Sequence, residues 1–252
     1  MARKEATETV TPDKEVLDQV FNQGEGAQET TAMSTIQGNF ALGTVQGEFS
    51  MEEMRLPRLQ IAYGVGNLAE NFNPGDFVLG GDNLLVHKGE PLRIIILTAG
   101  QYWKEYLSAE QFTAGLRPRS FLTEQEVHKE GGTTAWVNGV GPTFNRAMNI
   151  KMLIEQPKDV ICGLFGVEIK DKIYAAAVWD VDKTAFKRVG PVVMSAAQFS
   201  LRTKGLLNGV FELANRVEKV GKNQNATVVP SIKLAGYNDD ETIEAIKAVF
   251  GQ

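Results

Sequence analysis

The chain of 252 residues has one cysteine and two histidines. Each scarcity closes off a class of function. Cys162 stands alone in the apolar stretch 160–167, so it cannot make an internal disulfide. It reads as a small buried hydrophobe in a reducing compartment. His87 and His128 have Asp82, Glu124, Glu126 and Glu130 nearby, but not at the spacing that puts three ligands on one metal ion. No metal and no other cofactor is expected. The sequence also lacks any stretch of about 18 apolar residues that could cross a membrane as a helix. No apolar segment follows Met1-Ala2-Arg3-Lys4-Glu5 as it would in a secretory signal, so a soluble, cytoplasmic protein is expected. There is no Gly-x-Ser-x-Gly elbow and no phosphate loop ending in Gly-Lys-Ser/Thr. With no acid–base constellation in view, the chain reads as not an enzyme.

Charge is present but unevenly spread. Residues 1–54 carry three basic side chains against ten acidic ones, whereas residues 55–252 carry 23 basic against 21 acidic. The averaged charge of −5 therefore hides an acidic leader joined to a slightly basic body. The leader is rich in Thr, Glu, Gln and Gly and poor in apolar residues, which predicts a flexible, disordered arm. Within it, Val16, Leu17, Val20 and Phe21 have the i,i+4 spacing of a short amphipathic helix. The body is long enough to bury its own core.

Most of that body has strand character. Leu59, Ile61 and Tyr63 alternate with polar or small residues. Short strands are expected at 77–79, 83–87 and 92–98, the last apolar on both faces and hence central. Strand character resumes at 149–155 and 160–167. A hairpin with a Lys170-Asp171-Lys172 tip follows and continues through 175–179. Segments 185–189 and 192–194 read as strands flanking Gly190-Pro191, and 196–207 as a helix or an irregular link. Two further strands, 210–220 and 226–234, bracket a turn at 221–225. The C-terminus reads as a helix: Asn238 and Asp239 can cap it, and Ile243, Ile246, Val249 and Phe250 form one stripe. Gly64-Val65-Gly66-Asn67-Leu68-Ala69 matches a Gly-x-Gly-x-x-Ala fingerprint, but the strand–turn–strand context favours a glycine-dependent bend over a dinucleotide site. The fold class is mainly β: an OB-like barrel with extra strands, loop insertions and a C-terminal helix, preceded by the arm.

The sharpest chemical signal is aromatic residues interleaved with bases. Tyr102, Trp103 and Lys104 are consecutive. Arg117, Arg119 and Phe121 share one expected loop, and Trp136 and Arg146 belong to another. Lys183-Thr184-Ala185-Phe186-Lys187-Arg188 begins a window through Lys204 with five bases and no acid, from which Phe186, Lys187 and Arg188 are the candidates. With Arg93, these residues form a candidate surface for single-stranded nucleic acid, where rings stack on bases and cations neutralise phosphates. Equally, Phe165, Trp179, Phe199 and Phe211 fit a core, Trp103 and Trp136 fit either role, and an acid-free window fits a solvated face.

Short blocks carry a resemblance. Pro57-Arg58-Leu59-Gln60-Ile61, Pro74-Gly75-Asp76-Phe77 and Pro91-Leu92-Arg93-Ile94-Ile95-Ile96 come in an order similar to that in single-stranded-DNA-binding proteins of tailed bacteriophages. Gly209-Val210-Phe211-Glu212-Leu213 and Val228-Val229-Pro230 extend the similarity over residues 56–236. The resemblance implies an OB-type barrel that coats exposed single strands in viral DNA replication or recombination, in the host cytoplasm. Many such binders recruit partners through an acidic C-terminal tail. Here the acidic segment is N-terminal, and replication or recombination proteins are its expected partners. The competing expectation is a virion structural or assembly protein whose arm ties neighbouring subunits together.

Overall fold

The computed structural model describes residues 55–220 and 225–250. The arm 1–54, its expected helix and most of the turn at 221–225 lie outside the described residues. A small antiparallel sheet comes first, made of β1 (Leu59–Ile61), β2 (Phe77–Leu79) and β3 (Asn83–Val86) in that order. The main sheet contains β4 (Leu92–Glu105), β5 (Ser120–Phe121), β6 (Phe144–Glu155), β7 (Val167–Ile169), β8 (Lys172–Asp182), β9 (Gly209–Val220) and β10 (Asn225–Tyr237). Its order is β10-β9-β4-β6-β8-β7, with β5 added to β4, and neighbours run antiparallel. The chain is thus mainly β, as its turn-punctuated strands predict. The main sheet does not close: β10 and β7 stand at opposite ends and do not pair, so it is an open sheet and not a closed barrel.

One apolar layer fills the space between the two sheets. Ile94 and Ile96 of β4 stand beside Met152 and Ile154 of β6, with Ala175 and Ala177 of β8 next in register. Leu59, Phe77 and Leu79 of the small sheet close over them, all at most 2% exposed. Burying each such aliphatic side chain is worth about 1.5–3 kcal/mol, so this layer dominates the stability. Helix α3 (Lys183–Ser195) packs on the same side through Phe186, Val189 and Val193. The expected strands 185–189 and 192–194 are therefore one helix. Phe186, Val189 and Val193 have helical spacing, and Gly190 leaves room for the Phe186 ring, which a Cβ there would meet at 2.8 Å. Pro191 is tolerated inside this helix despite its missing N–H. The 196–207 link is a π-turn over Ala196–Ser200 and a 3-10 turn at Leu206–Asn208.

The opposite side of the main sheet is covered only at one end. There Ile95, Leu97, Leu153, Ile169 and Tyr174 lie under Ile246 of the C-terminal helix α4 (Asp240–Phe250; α1 and α2 follow below). Asp239 caps that helix by accepting from the Thr242 N–H at 2.7 Å. Lys170, at the β7–β8 tip, bonds both Asp239 oxygens and Glu241, which ties the helix to the sheet. The expected strand at 160–167 is loop up to Val167, and Ile161 is fully exposed at 96%. Its glycines at 163 and 166 and the preceding Pro157 interrupt any ladder.

Between β4 and β6 the chain makes an insertion. Helices α1 (Ala109–Thr113) and α2 (Glu124–Lys129) both begin with a reciprocal capping box, Ser108 with Gln111 and Thr123 with Glu126. The strands end in a small satellite core of Trp103, Val127 and Phe144, flanked by Phe121. A hairpin then projects with Asn138 and Gly139 at its tip, both at positive φ, the geometry that Asn-Gly favours. Gly66 (φ 94) precedes a single 3-10 turn, so Gly64–Ala69 is a bend and no dinucleotide-binding helix follows it.

Candidate functional site

A bulge in β4 builds the site. Ile96 pairs with Met152 and Thr98 with Lys151, which leaves Leu97 as an extra residue. Beyond it the two faces of the strand exchange roles. Tyr102 and Lys104 now point to the side left uncovered by α4, while Gln101 and Trp103 point to the covered side. Gln101 reaches the Met194 sulfur of α3, and Trp103 enters the satellite core.

The uncovered face is polar in register. Arg58, just ahead of β1, bridges Val178 of β8; Val178 stands opposite Lys151 of β6, and Lys151 opposite Thr98 of β4. The next row is Asp180, Asn149 and Gly100, and the next Asp182, Ala147 and Tyr102. Ala147 is fully buried and small, so side chains from β4 and β8 meet above it. Lys104 Nζ donates to Asp182 Oδ2 at 2.8 Å. Asn149 Nδ2 donates to Asp180 Oδ1 at 2.7 Å, and the Tyr102 hydroxyl donates to the same oxygen at 3.4 Å. Burial, then the Asp180 carboxylate, push the Tyr102 hydroxyl up to about 12, so it stays protonated. Tyr63 is raised as well, chiefly by burial and next by Asp182.

Two hollows open from this cluster and share Asp180. The larger, about 700 Å³, is lined by Arg58, Tyr63, Val65, Lys104, Asp182 and Lys183 among others, with Thr227–Pro230 of β10 along one wall. The smaller, about 450 Å³, is lined by Gly100, Gln101, Tyr102, Ser120, Phe121, Leu122 and Asn149. It lies where β4 has a gap in its outer edge. β9 pairs with β4 only through Ile95, and β5 begins at Trp103, so the intervening backbone has no strand partner on that side. At the far end, Lys183 sits over the Tyr106 ring at 4.5 Å, placed there by its left-handed turn (φ 48) into α3.

Of the sequence-predicted site residues, this face collects Tyr102 and Lys104, with Phe121 on its rim. Arg146 lies over the Trp103 ring at 5.1 Å, exposed. Trp103 itself is 9% exposed and serves as core, as does Phe186, so neither offers a free face for stacking. Arg119 is spent on Glu105, which it grips with two guanidinium nitrogens, and it covers the Phe121 and Phe144 rings. That hydrogen-bonded pairing lowers the Glu105 carboxyl and raises Arg119. Arg93 belongs to the other end of the sheet, beside Glu155 and Glu212. Lys187 and Arg188 ride on α3, across the sheet from Tyr102, and Arg188 is paired with Glu218. Arg117 is exposed in the loop after α1. Trp136 is 74% exposed near the hairpin tip, apart from the polar rows.

Arg58, Asn149, Lys151, Asp180, Asp182 and Lys183 are the residues that sequence reasoning did not select. A signal existed: Asn149-x-Lys151 and Asp180-x-Asp182 place polar groups on alternate positions of two otherwise apolar strands, hence on one face. Among the described residues Arg58, Lys151, Lys183 and Arg146 make no ion pair. No family model, curated protein or solved structure matches the chain.

Proposed function

We propose that this protein binds single-stranded DNA across the uncovered face of its main sheet, without strong sequence preference and without catalysing a reaction. The observation that carries the reading is the grouping of Arg58, Lys104, Lys151 and Lys183 with Tyr63, Tyr102 and Tyr106 at that face. Four cations stand against two carboxylates, Asp180 and Asp182, so the groove favours a polyanion. The tyrosines supply amphipathic rings at the same place. The bacteriophage resemblance supplies the setting, the coating of exposed strands during viral replication or recombination. In this reading the sheet is an opened relative of an OB-type barrel, and the acidic arm 1–54 contacts partner proteins.

A titration of labelled oligo-dT and a matched duplex, at several salt concentrations, tests the proposal. Tight, salt-sensitive binding to the single strand with weak duplex binding is expected. Failure to bind the single strand at low salt overturns it. A second reading, a virion structural or assembly subunit, draws on the insertion between β4 and β6. Phe112, Leu116, Leu122, Trp136, Val137 and Val140 are all more than half exposed there, an unusual share of apolar surface. Stable assembly without nucleic acid, seen by light scattering, is its expected signature.

A further inference from the structure

We infer that the smaller hollow is a nucleobase subsite that selects bases carrying an exocyclic amino group over thymine and uracil. The inference rests on the single-strand-binding reading and adds a base preference to it. At about 450 Å³ the hollow has room for one base. Gly100 has no side chain to fill it, and a Cβ there would meet nothing within 4 Å. Tyr102 and Leu122 give it aromatic and apolar walls, and Phe121, whose ring packs on Phe144, borders it. Asp180 and Asn149 are neighbours in register on β8 and β6, and Ser120 and Gln101 complete the hollow's polar lining.

Their hydrogen bonds determine what the hollow accepts. Asn149 Nδ2 and the Tyr102 hydroxyl both donate to Asp180 Oδ1. The Tyr102 hydroxyl hydrogen and one of the two Asn149 Nδ2 hydrogens are thereby turned onto the carboxylate. Asp180 Oδ2 and Asn149 Oδ1 accept no hydrogen bond among the described residues. The charged group that the hollow presents is therefore an acceptor, the Asp180 carboxylate. A phosphate is repelled by that carboxylate, which leaves the base as the part of the strand that enters. Cytosine offers its N4 amino hydrogens, and carboxylates accept from that group. Thymine and uracil offer carbonyl oxygens at the same position, and two acceptors facing each other gain nothing and lose their water. Adenine and guanine also carry amino groups and belong to the favoured class.

The test compares dC, dU and dT oligomers of one length by fluorescence anisotropy, at about pH 8 so that cytosine is neutral. All three stack weakly, and dU separates the effect of the thymine methyl from that of the amino group. The expected result is dC binding tighter than dU and dT by about fivefold or more. Asp180→Asn removes a negative charge, so affinity for all three oligomers rises, and the ratio between them carries the base readout. The new amide can donate to a carbonyl, so the dC-to-dU ratio is expected to fall to about one or below. Equal affinities for the three oligomers in the unaltered protein overturn the subsite while leaving single-strand binding standing. A dC preference that survives Asp180→Asn overturns the role given to Asp180. Binding of none of the oligomers overturns both the subsite and the function it rests on.

Discussion

Replacing Arg58, Lys151 and Lys183 together with alanine asks whether the strand lies on the uncovered face. Arg58 and Lys183 are exposed and Lys151 is partly exposed, and none makes an ion pair among the described residues, so their loss leaves no buried charge behind. If each neutralises one phosphate of a single strand, each contributes about 0.7 to the slope of log K against log salt. The triple variant is then expected to lose about 2 from that slope. Between 50 and 200 mM salt, the fourfold span over which such slopes are read, the variant's affinity falls about 20-fold less steeply than that of the unaltered protein. Lys187→Ala is the matched control: it removes a cation from α3 on the other side of the sheet and should leave the slope in place. Fluorescence anisotropy with oligo-dT across a salt series measures both variants, and circular dichroism confirms that they fold. The reasoning is refuted if the triple variant keeps the full slope, or if Lys187→Ala lowers it as much.

Three further outcomes are expected. Trp103→Ala should destabilise the protein by about 3–5 kcal/mol, because it empties the satellite core, whereas Trp136→Ala should change stability by less than about 0.5 kcal/mol; urea melts of the two variants give the comparison. Gly132→Ala places a Cβ 2.7 Å from the Phe144 ring and from Val127. It should cost about 1–3 kcal/mol by overpacking, and thermal melting checks it. The Lys170 ammonium, then the Thr242 side chain and N–H, hold the Asp239 carboxyl well below its ordinary value. A depressed folded pKa stabilises above the unfolded value of 3.8 and loses that effect as pH falls below it. Asp239→Asn should accordingly melt below the unaltered protein near neutral pH, and the gap should close in acid. A gap that widened in acid would contradict the assignment.

Much of the fold was legible because its strands carry their own punctuation. The β7–β8 hairpin, the β9–β10 pair and α4 follow from turn residues, alternation and capping groups that act locally. The failures share a different cause. Gly190-Pro191 is a strong local breaker, yet Phe186, Val189 and Val193 gain enough by burial on the sheet to keep one helix across it. The site was harder still. Tyr102 and Lys104 stood out because they are consecutive with another aromatic, but Trp103 and Phe186 were drawn into cores by contacts that composition does not reveal. Asp180, Asn149 and Arg58 come from three distant strands, and only the register between those strands brings them together. Register is a long-range property, set by the whole sheet, and a single strand's sequence does not declare it.

The bulge at Leu97 acts as a phase shifter. Before it, the even-numbered residues of β4 serve the core between the sheets; after it, they serve the open face. One strand thus supplies a continuous apolar run to two cores and then a polar edge to a groove, with its pairing to β6 interrupted only at Leu97. Deleting Leu97 would leave Thr98 opposite Lys151 directly after Ile96 opposite Met152, so the second half would keep its sides; pairing Leu97 itself with Lys151 would instead exchange them. Tyr102 and Lys104 would turn toward the satellite core, and Trp103 would emerge on the groove. The positions of these side chains are therefore linked to the bulge as much as to residue identity. A one-residue slip of register at the bulge is a larger change to this face than any substitution within it.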